Sequence, residues 1–326
     1  MHNRQLTFWT YLIIVISLGL SILPVKVIGA DKTQNNSLTA RNRKIASSGN
    51  SDEDIKQLRS LNMINPIPEL PFTSQDYIIN PGDSPINEQT YEKPEFNRLV
   101  WSDEFNSGSV PDSSKWSYSV GTGEGGWGNS ELQYYTERPE NIVIRNGLLK
   151  IKAIREDFKG SKYTSAKLVS KNKFEFKYGR VEVSARLPKG AGTWPAIWML
   201  GSNIDKTGWP GCGEIDIMEH RGSELNKIFA TLHYPGRSGG NPDGGTTLIS
   251  NATTAFHKYS LEWTSASIRI LVDDQLCHCV ANSETLPFNH NFFVILNLAM
   301  GGTFGGVADP QVKDASMEID YIRVYQ

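Results

Sequence analysis

The residues best suited to chemistry lie in one run, Gly213-Glu214-Ile215-Asp216-Ile217-Met218-Glu219. Successive side chains of a strand point to opposite faces, so Glu214 and Asp216 share one face and Ile215 and Ile217 the other. Unbroken alternation would turn Glu219 inward with the isoleucines, where an unpaired carboxylate is costly. One extra residue, a β-bulge near Met218, returns it to the face of Glu214 and Asp216. Two carboxylates flanking a sugar are the machinery of glycoside hydrolysis. Four effective strand steps separate the two Glu backbones by about 13 Å. Side chains leaning together could close this to about 5–5.5 Å, the spacing of a retaining pair. Asp216 between them would steady the nucleophile and keep the pKa values apart, with one Glu protonated and the other ionised near neutral pH. Taken alone, the same spacing also suits a solvated strand face.

Such a strand needs a sheet around it. Leu149-Lys150-Ile151-Lys152-Ala153 alternates apolar and polar, as does Arg180-Val181-Glu182-Val183-Ser184-Ala185-Arg186-Leu187. Further runs lie at 259–263, 267–272, 292–298 and 317–325, separated by Gly, Pro, Asn and Asp clusters. No window of a dozen residues carries a clear 3.6-residue period. Short strands with turn signals and no crossover helices predict an all-β sandwich or barrel over residues 99–326.

The segments before that domain read differently. Residues 1–30 have a short polar start with His2 and Arg4, an apolar run over 6–25, and a small-residue exit at Gly29-Ala30. That is the pattern of an export signal. The run is also long enough for an uncleaved membrane anchor. Either reading places the rest of the chain outside the cytoplasm, extracellular or in the cell envelope. Residues 31–98 are rich in Asn, Ser, Asp, Lys and Pro and read as a mostly disordered linker, with one short helix expected at 51–64. Over the whole chain, 33 Lys+Arg against 35 Asp+Glu give a net charge of -2, which excludes a basic nucleic-acid binder. Three cysteines are too few for a disulfide scaffold. Cys277 and Cys279 share a strand face and should not pair with each other; one disulfide plus a free thiol stays open, with buried small apolar residues as the default.

The surroundings of the acidic run carry a resemblance. Residues 213–219 resemble the active-site signature of glycoside hydrolase family 16, in its laminarinase-like branch of endo-β-1,3-glucanases. That branch carries the extra residue, which the related licheninases and xyloglucan transferases lack. Also similar to the family are Trp101-Ser102-Asp103-Glu104-Phe105, Gly128-Asn129-Ser130-Glu131-Leu132-Gln133-Tyr134-Tyr135, Asn146-Gly147-Leu148-Leu149, Tyr178-Gly179-Arg180-Val181-Glu182, Leu187-Pro188-Lys189-Gly190-Ala191-Gly192-Thr193-Trp194-Pro195-Ala196-Ile197-Trp198-Met199-Leu200 and Ile319-Asp320-Tyr321-Ile322-Arg323-Val324. The similarity spans residues 99–326 in order.

The resemblance implies a two-sheet antiparallel β-jelly roll with the acids on a concave catalytic face. It implies Glu214 as nucleophile, Glu219 as general acid/base and Asp216 as the assisting acid. It places Trp194 and Trp198 on the glucan-binding side, although a strand Trp is as often core. It gives Asn129 and Glu131 hydrogen bonds to sugar hydroxyls, Trp127 a stacking surface and His233 a place in the cleft. Against these stand a turn-forming Asn and a satisfied core histidine. Where the family commonly has Gly-Asn-Trp, this chain has Gly302-Thr303-Phe304, so Phe304 can stack but lacks the indole donor. A structural calcium is implied at the backbone oxygens of Glu104 and Gly147 and the Asp320 carboxylate; Asp320 could equally cap a strand edge. The implied partner is β-glucan, with a monomer acting on laminarin-type and, further, mixed-linkage chains. A transglycosylase and a non-catalytic glucan-recognition protein on the same fold are the competing readings. The second class typically loses one or both catalytic Glu, and both are present here.

Overall fold

The computed structural model describes residues 94–326. The export signal or anchor expected at 1–30, nearly all of the linker expected at 31–98 and the helix expected at 51–64 lie outside the described residues. The strands, in chain order, are β1 (Leu99–Asp103), β2 (Ser117–Tyr118), β3 (Gln133–Tyr135), β4 (Ile142–Arg145), β5 (Leu148–Phe158), β6 (Ser161–Ser165), β7 (Lys167–Val169), β8 (Gly179–Arg186) and β9 (Thr193–Gly201). They continue with β10 (Glu214–His220), β11 (Lys227–His233), β12 (Asp243–Leu248), β13 (His257–Trp263), β14 (Ser267–Val272), β15 (Gln275–Ala281), β16 (Phe292–Met300) and β17 (Asp314–Tyr325). Among the described residues a π-helical turn at Gly126–Ser130 and two single α-helical turns, α1 (Ile204–Thr207) and α2 (Gly302–Gly305), interrupt them.

Ten strands form one sheet, in the order β15-β14-β13-β8-β17-β5-β6-β3 with β1 beside β17 and β4 beside β5. Seven form the other, in the order β12-β11-β10-β9-β16-β7-β2. Neighbours are antiparallel except β3 with β6. Alternation explains the layering. In β8, Val181, Val183 and Ala185 are fully buried, while Arg180, Glu182 and Arg186 face outward. There they join ion pairs, Arg180 with Glu182 along the same strand at 2.6 Å and with Glu262 of β13 at 3.6 Å, and Arg186 with Glu318 of β17. Leu149, Ile151 and Ala153 of β5 bury in the same way, with Lys150 outward against Glu318 at 2.8 Å. From the second sheet Ile197 and Met199, Ile215 and Ile217, and Val294, Leu296 and Leu298 fill the space between the layers. Each such side chain contributes about 1.5–3 kcal/mol by leaving water.

The acidic run is β10, an inner strand between β9 and β11. Gly213 turns the chain into it with φ +74°, and a Cβ there would lie 2.6 Å from the Pro287 carbonyl oxygen, so both backbone angle and space require glycine. The expected bulge is present. Asp216 pairs with Trp198 and Met218 with Ile197, so Ile217 and Met218 together oppose one residue of β9. From Glu214 to Glu219, six residues of β10 run against five of β9, from Leu200 to Ala196, and five of β11, from His233 to Phe229. The disulfide left open above is not formed among the described residues: Cys212 and Cys277 are buried thiols, and Cys279 is a half-buried one.

Candidate active site

The bulge brings Glu214, Asp216 and Glu219 to one face of the seven-stranded sheet, and each carboxylate meets a different set of donors. Trp209 Nε1 donates to Glu214 Oε2 at 3.0 Å. This indole lies in the loop between α1 and β10 and is 48% exposed. Trp194 Nε1 of β9 donates to Glu219 Oε1 at 3.0 Å, and Thr231 Oγ1 of β11 to Glu219 Oε2 at 3.3 Å. Asp216, only 4% exposed, has an Oδ2 with no aligned hydrogen bond. His233, at the end of β11 opposite Glu214, sets its Nε2 3.3 Å from that oxygen and 3.7 Å from Glu214 Oε1. The Gly239 N–H donates to His233 Nδ1 at 3.2 Å. A donor there requires a lone pair on Nδ1, which leaves the proton on Nε2, facing the two acids.

Burial sets the electrostatics. It pushes the Glu214 carboxyl up to about 8, with the Asp216 charge adding to the rise and His233 and the Trp209 N–H opposing it. Burial, then the Glu219 charge, raises Asp216 well above the ordinary range. Burial raises Glu219 as well, against its bonds from Trp194 and Thr231. This corrects the expectation that only the acid/base would be raised. Three buried carboxyls on one face disfavour one another's ionisation, so their protonation is linked.

A second cluster adjoins the first across β9, β16 and β7. Glu131 accepts from Asn129 Nδ2 at 3.3 Å, Gln133 Nε2 at 2.6 Å and Tyr135 Oη at 3.1 Å. Asn297 of β16 ties this group to the acids: its Nδ2 donates to Tyr135 Oη at 3.0 Å, and its Oδ1 accepts from Trp198 Nε1 at 2.7 Å. The backbone holds the pieces together, with Glu131 bridging Gly301 and Leu132 N–H bonding Met300 O at 2.9 Å. Trp194, Trp198, Asn129, Glu131 and His233 are thus gathered around the acidic strand.

Trp127 and Phe304 each carry a cation over the ring. The Lys167 ammonium lies 4.4 Å from the Trp127 ring centroid and 4.9 Å from that of Trp198. The Arg221 guanidinium lies 4.1 Å over Phe304, whose ring also packs on Trp194 at 5.2 Å and Phe229 at 5.0 Å. Cations therefore already occupy one face of each ring. Sequence reasoning missed Lys167, Trp209, Thr231, Gln133, Tyr135 and Asn297. Trp209, in Gly208-Trp209-Pro210-Gly211 directly before the signature, offered the clearest unused signal.

Two donor sets could hold a metal. Ligand atoms of Glu214, Asp216 and His233 lie within 4.8 Å of one another. The His233 Nε2 proton, however, leaves no lone pair facing the acids. The calcium positions lie close together in the ten-stranded sheet: β1 ends with Asp103 opposite Ile322, β17 pairs Ile319 with Leu149, and Gly147 sits in the turn just before Leu149. Asp320 is exposed, at the register shift in β17. The Glu104 carboxylate is engaged by Arg323 at 2.8 and 2.9 Å. The set is oxygen only, as calcium prefers.

The model of glycosyl hydrolases family 16 matches residues 129–323. The chain belongs to glycoside hydrolase family 16. A second model, beta-glucan synthesis-associated protein SKN1/KRE6/Sbg1, matches residues 11–214 and ends at Glu214. A beta-glucanase of Rhodothermus marinus is 42% identical over 261 residues, 75% of this chain and 91% of that protein. A glucan endo-1,3-beta-glucosidase of Cryptopygus antarcticus is 38% identical over 250 residues, 69% of this chain and 90% of that one. The solved laminarinase of Rhodothermus marinus superposes with a TM-score of 0.68 at 43% identity, covering 72% of this chain and 99% of its own. The two-sheet sandwich of this family 16 member is accordingly its jelly roll.

Proposed function

We propose that the chain is a retaining endo-β-1,3-glucanase that hydrolyses laminarin-type β-glucan, with mixed-linkage glucan as a further substrate. The observation that carries this reading is the bulged strand β10, which sets Glu214, Asp216 and Glu219 on one face with separate donors for each Glu. In the first displacement the Glu214 carboxylate attacks the anomeric carbon while Glu219 gives its proton to the departing glycosidic oxygen. A covalent glycosyl–enzyme forms as the C–O bond breaks. In the second, Glu219, now ionised, takes a proton from water as that water attacks the same carbon and frees Glu214. Asp216, 8% or less exposed like Glu219, shares the proton load of that partner and faces the Nε2 proton of His233. Near-neutral charge suits an uncharged polysaccharide. A calcium at Glu104, Gly147 and Asp320 would stabilise the fold without entering the chemistry. The apolar run over 6–25 supports export, as a secreted or anchored protein.

Incubation with laminarin, lichenan, xyloglucan and agarose, followed by reducing ends and product sizes, tests the reading. Laminarin should give new reducing ends and short oligosaccharides, with Glu214→Ala inactive but still binding. Release of reducing ends from none of the four glucans would sink the hydrolase assignment, and products longer than the substrate would point to transfer.

A further inference from the structure

Next to the catalytic face lies a buried carboxylate that the mechanism does not use. Asp243, 3% exposed, is the first residue of β12 and pairs with Leu232, the neighbour of His233. Its Oδ2 accepts from Tyr234 Oη at 2.7 Å. Its Oδ1 lies 3.1 Å from His278 Nε2 and 3.6 Å from Arg237 Nη2. His278 belongs to β15, in the opposite sheet, so this one carboxylate joins the two layers at their edge. The strands touch closely there: a Cβ on Gly245 of β12 would lie 2.4 Å from the Cys277 carbonyl oxygen of β15. Burial would raise Asp243, yet His278 beside it, the bond from Tyr234 and the Arg237 charge hold it below the usual carboxylate range.

Tyr234 and Arg237 are the two ends of a tight turn, closed by backbone bonds of 2.8 and 2.9 Å in both directions. The chain leaving that turn presents the Gly239 N–H that fixes His233. Asp243 thus grips both ends of the turn whose exit orients the histidine beside the acids. We propose that Asp243 is a positioning residue for the reaction: it clamps the 234–237 turn to the second sheet and thereby keeps His233 as the Nε2–H tautomer directed at Asp216 and Glu214. The proposal rests on the hydrolytic reading of the site. An inactive wild-type protein would defeat that reading; the proposal itself is decided by coupling between variants.

The test is a double-mutant cycle on the full chain with laminarin, using Asp243→Asn, His233→Gln and the pair. Asparagine keeps the shape and an acceptor for Tyr234 but removes the charge. Asp243→Asn should lower kcat about tenfold with KM nearly unchanged, and should cost less than about twofold once His233 is already Gln. Tyr234→Phe, which removes a single donor, should show the same dependence at smaller size and decides the matter if the asparagine variant does not fold. Nitrogen-15 NMR of labelled histidine should find His233 as Nε2–H in the wild type and mixed tautomers in Asp243→Asn. Losses that multiply independently of His233, with the tautomer unchanged, would overturn the proposal and leave Asp243 as a structural lock.

Discussion

Glu214 and Glu219 differ in their chemistry only through their neighbours. Glu214 is held by an exposed indole N–H, and Glu219 by a second indole and a threonine hydroxyl. The bond from Trp209 favours the ionised form of Glu214. Trp209→Phe should therefore move the acid limb of kcat/KM to higher pH by about one unit, the worth of one hydrogen bond to a charged group. A limb that stays in place would mean that Trp209 does not contact the nucleophile in solution. Stability follows the same group in the opposite sense. Its pKa is raised from 4.5 to about 8, so the folded state holds a proton that the unfolded chain gives up, and stability falls as pH rises through that window. Glu214→Gln should flatten this decline and raise Tm at pH 8 by roughly 3 °C for each kcal/mol of repulsion relieved. An unchanged Tm-against-pH curve would contradict the burial argument. The three acids were legible in the sequence because alternation puts Glu214 and Asp216 on one face and the cost of burying an unpaired carboxylate calls for the bulge that adds Glu219. Trp209 was not, because a loop residue's direction depends on a turn that periodicity does not encode.

At the scale of the element, the bulge decides whether the acids act together. Deleting Met218 leaves Glu-Ile-Asp-Ile-Glu, in which plain alternation already puts all three acids on one face. Such a variant should keep measurable activity, at a stability cost of about 2–4 kcal/mol for the lost buried side chain. Inserting one alanine after Met218 should instead turn Glu219 toward the core and abolish turnover. Reducing-end assays on both variants, with thermal unfolding as the control, separate these outcomes; equal activity in the two would mean that register does not place the acid. Strands β5, β8 and β10 were legible because each alternates over many residues. Strand β7 was not: three residues, Lys167–Val169, are too few to show a period, so the cation between Trp127 and Trp198 went unseen. The register that sets Lys167 against Asn297 is a long-range property of the assembled sheet.

For the molecule as a whole, two sheets share one apolar core, and the site occupies the outer face of one of them. Alternation predicted an all-β sandwich or barrel and the family resemblance the two sheets, whereas strand order and the contacts closing its edges, such as Asp243 with His278, depend on pairings distant in sequence. The oxygen set at Glu104, Gly147 and Asp320 belongs to the other sheet. Chelation of calcium should therefore lower Tm by several degrees while leaving kcat, measured below the new Tm, unchanged; loss of kcat in the folded protein would place the ion in the chemistry instead. The central claim is the division of labour between two glutamates on one bulged strand, and azide rescue tests it most directly. With an activated β-glucoside substrate, Glu219→Ala plus azide should yield a β-glycosyl azide, because azide attacks a glycosyl–Glu214 intermediate. Glu214→Ala plus azide should yield the α-azide by a single inversion. The reverse pattern of anomers, read by proton NMR, would contradict the assignment.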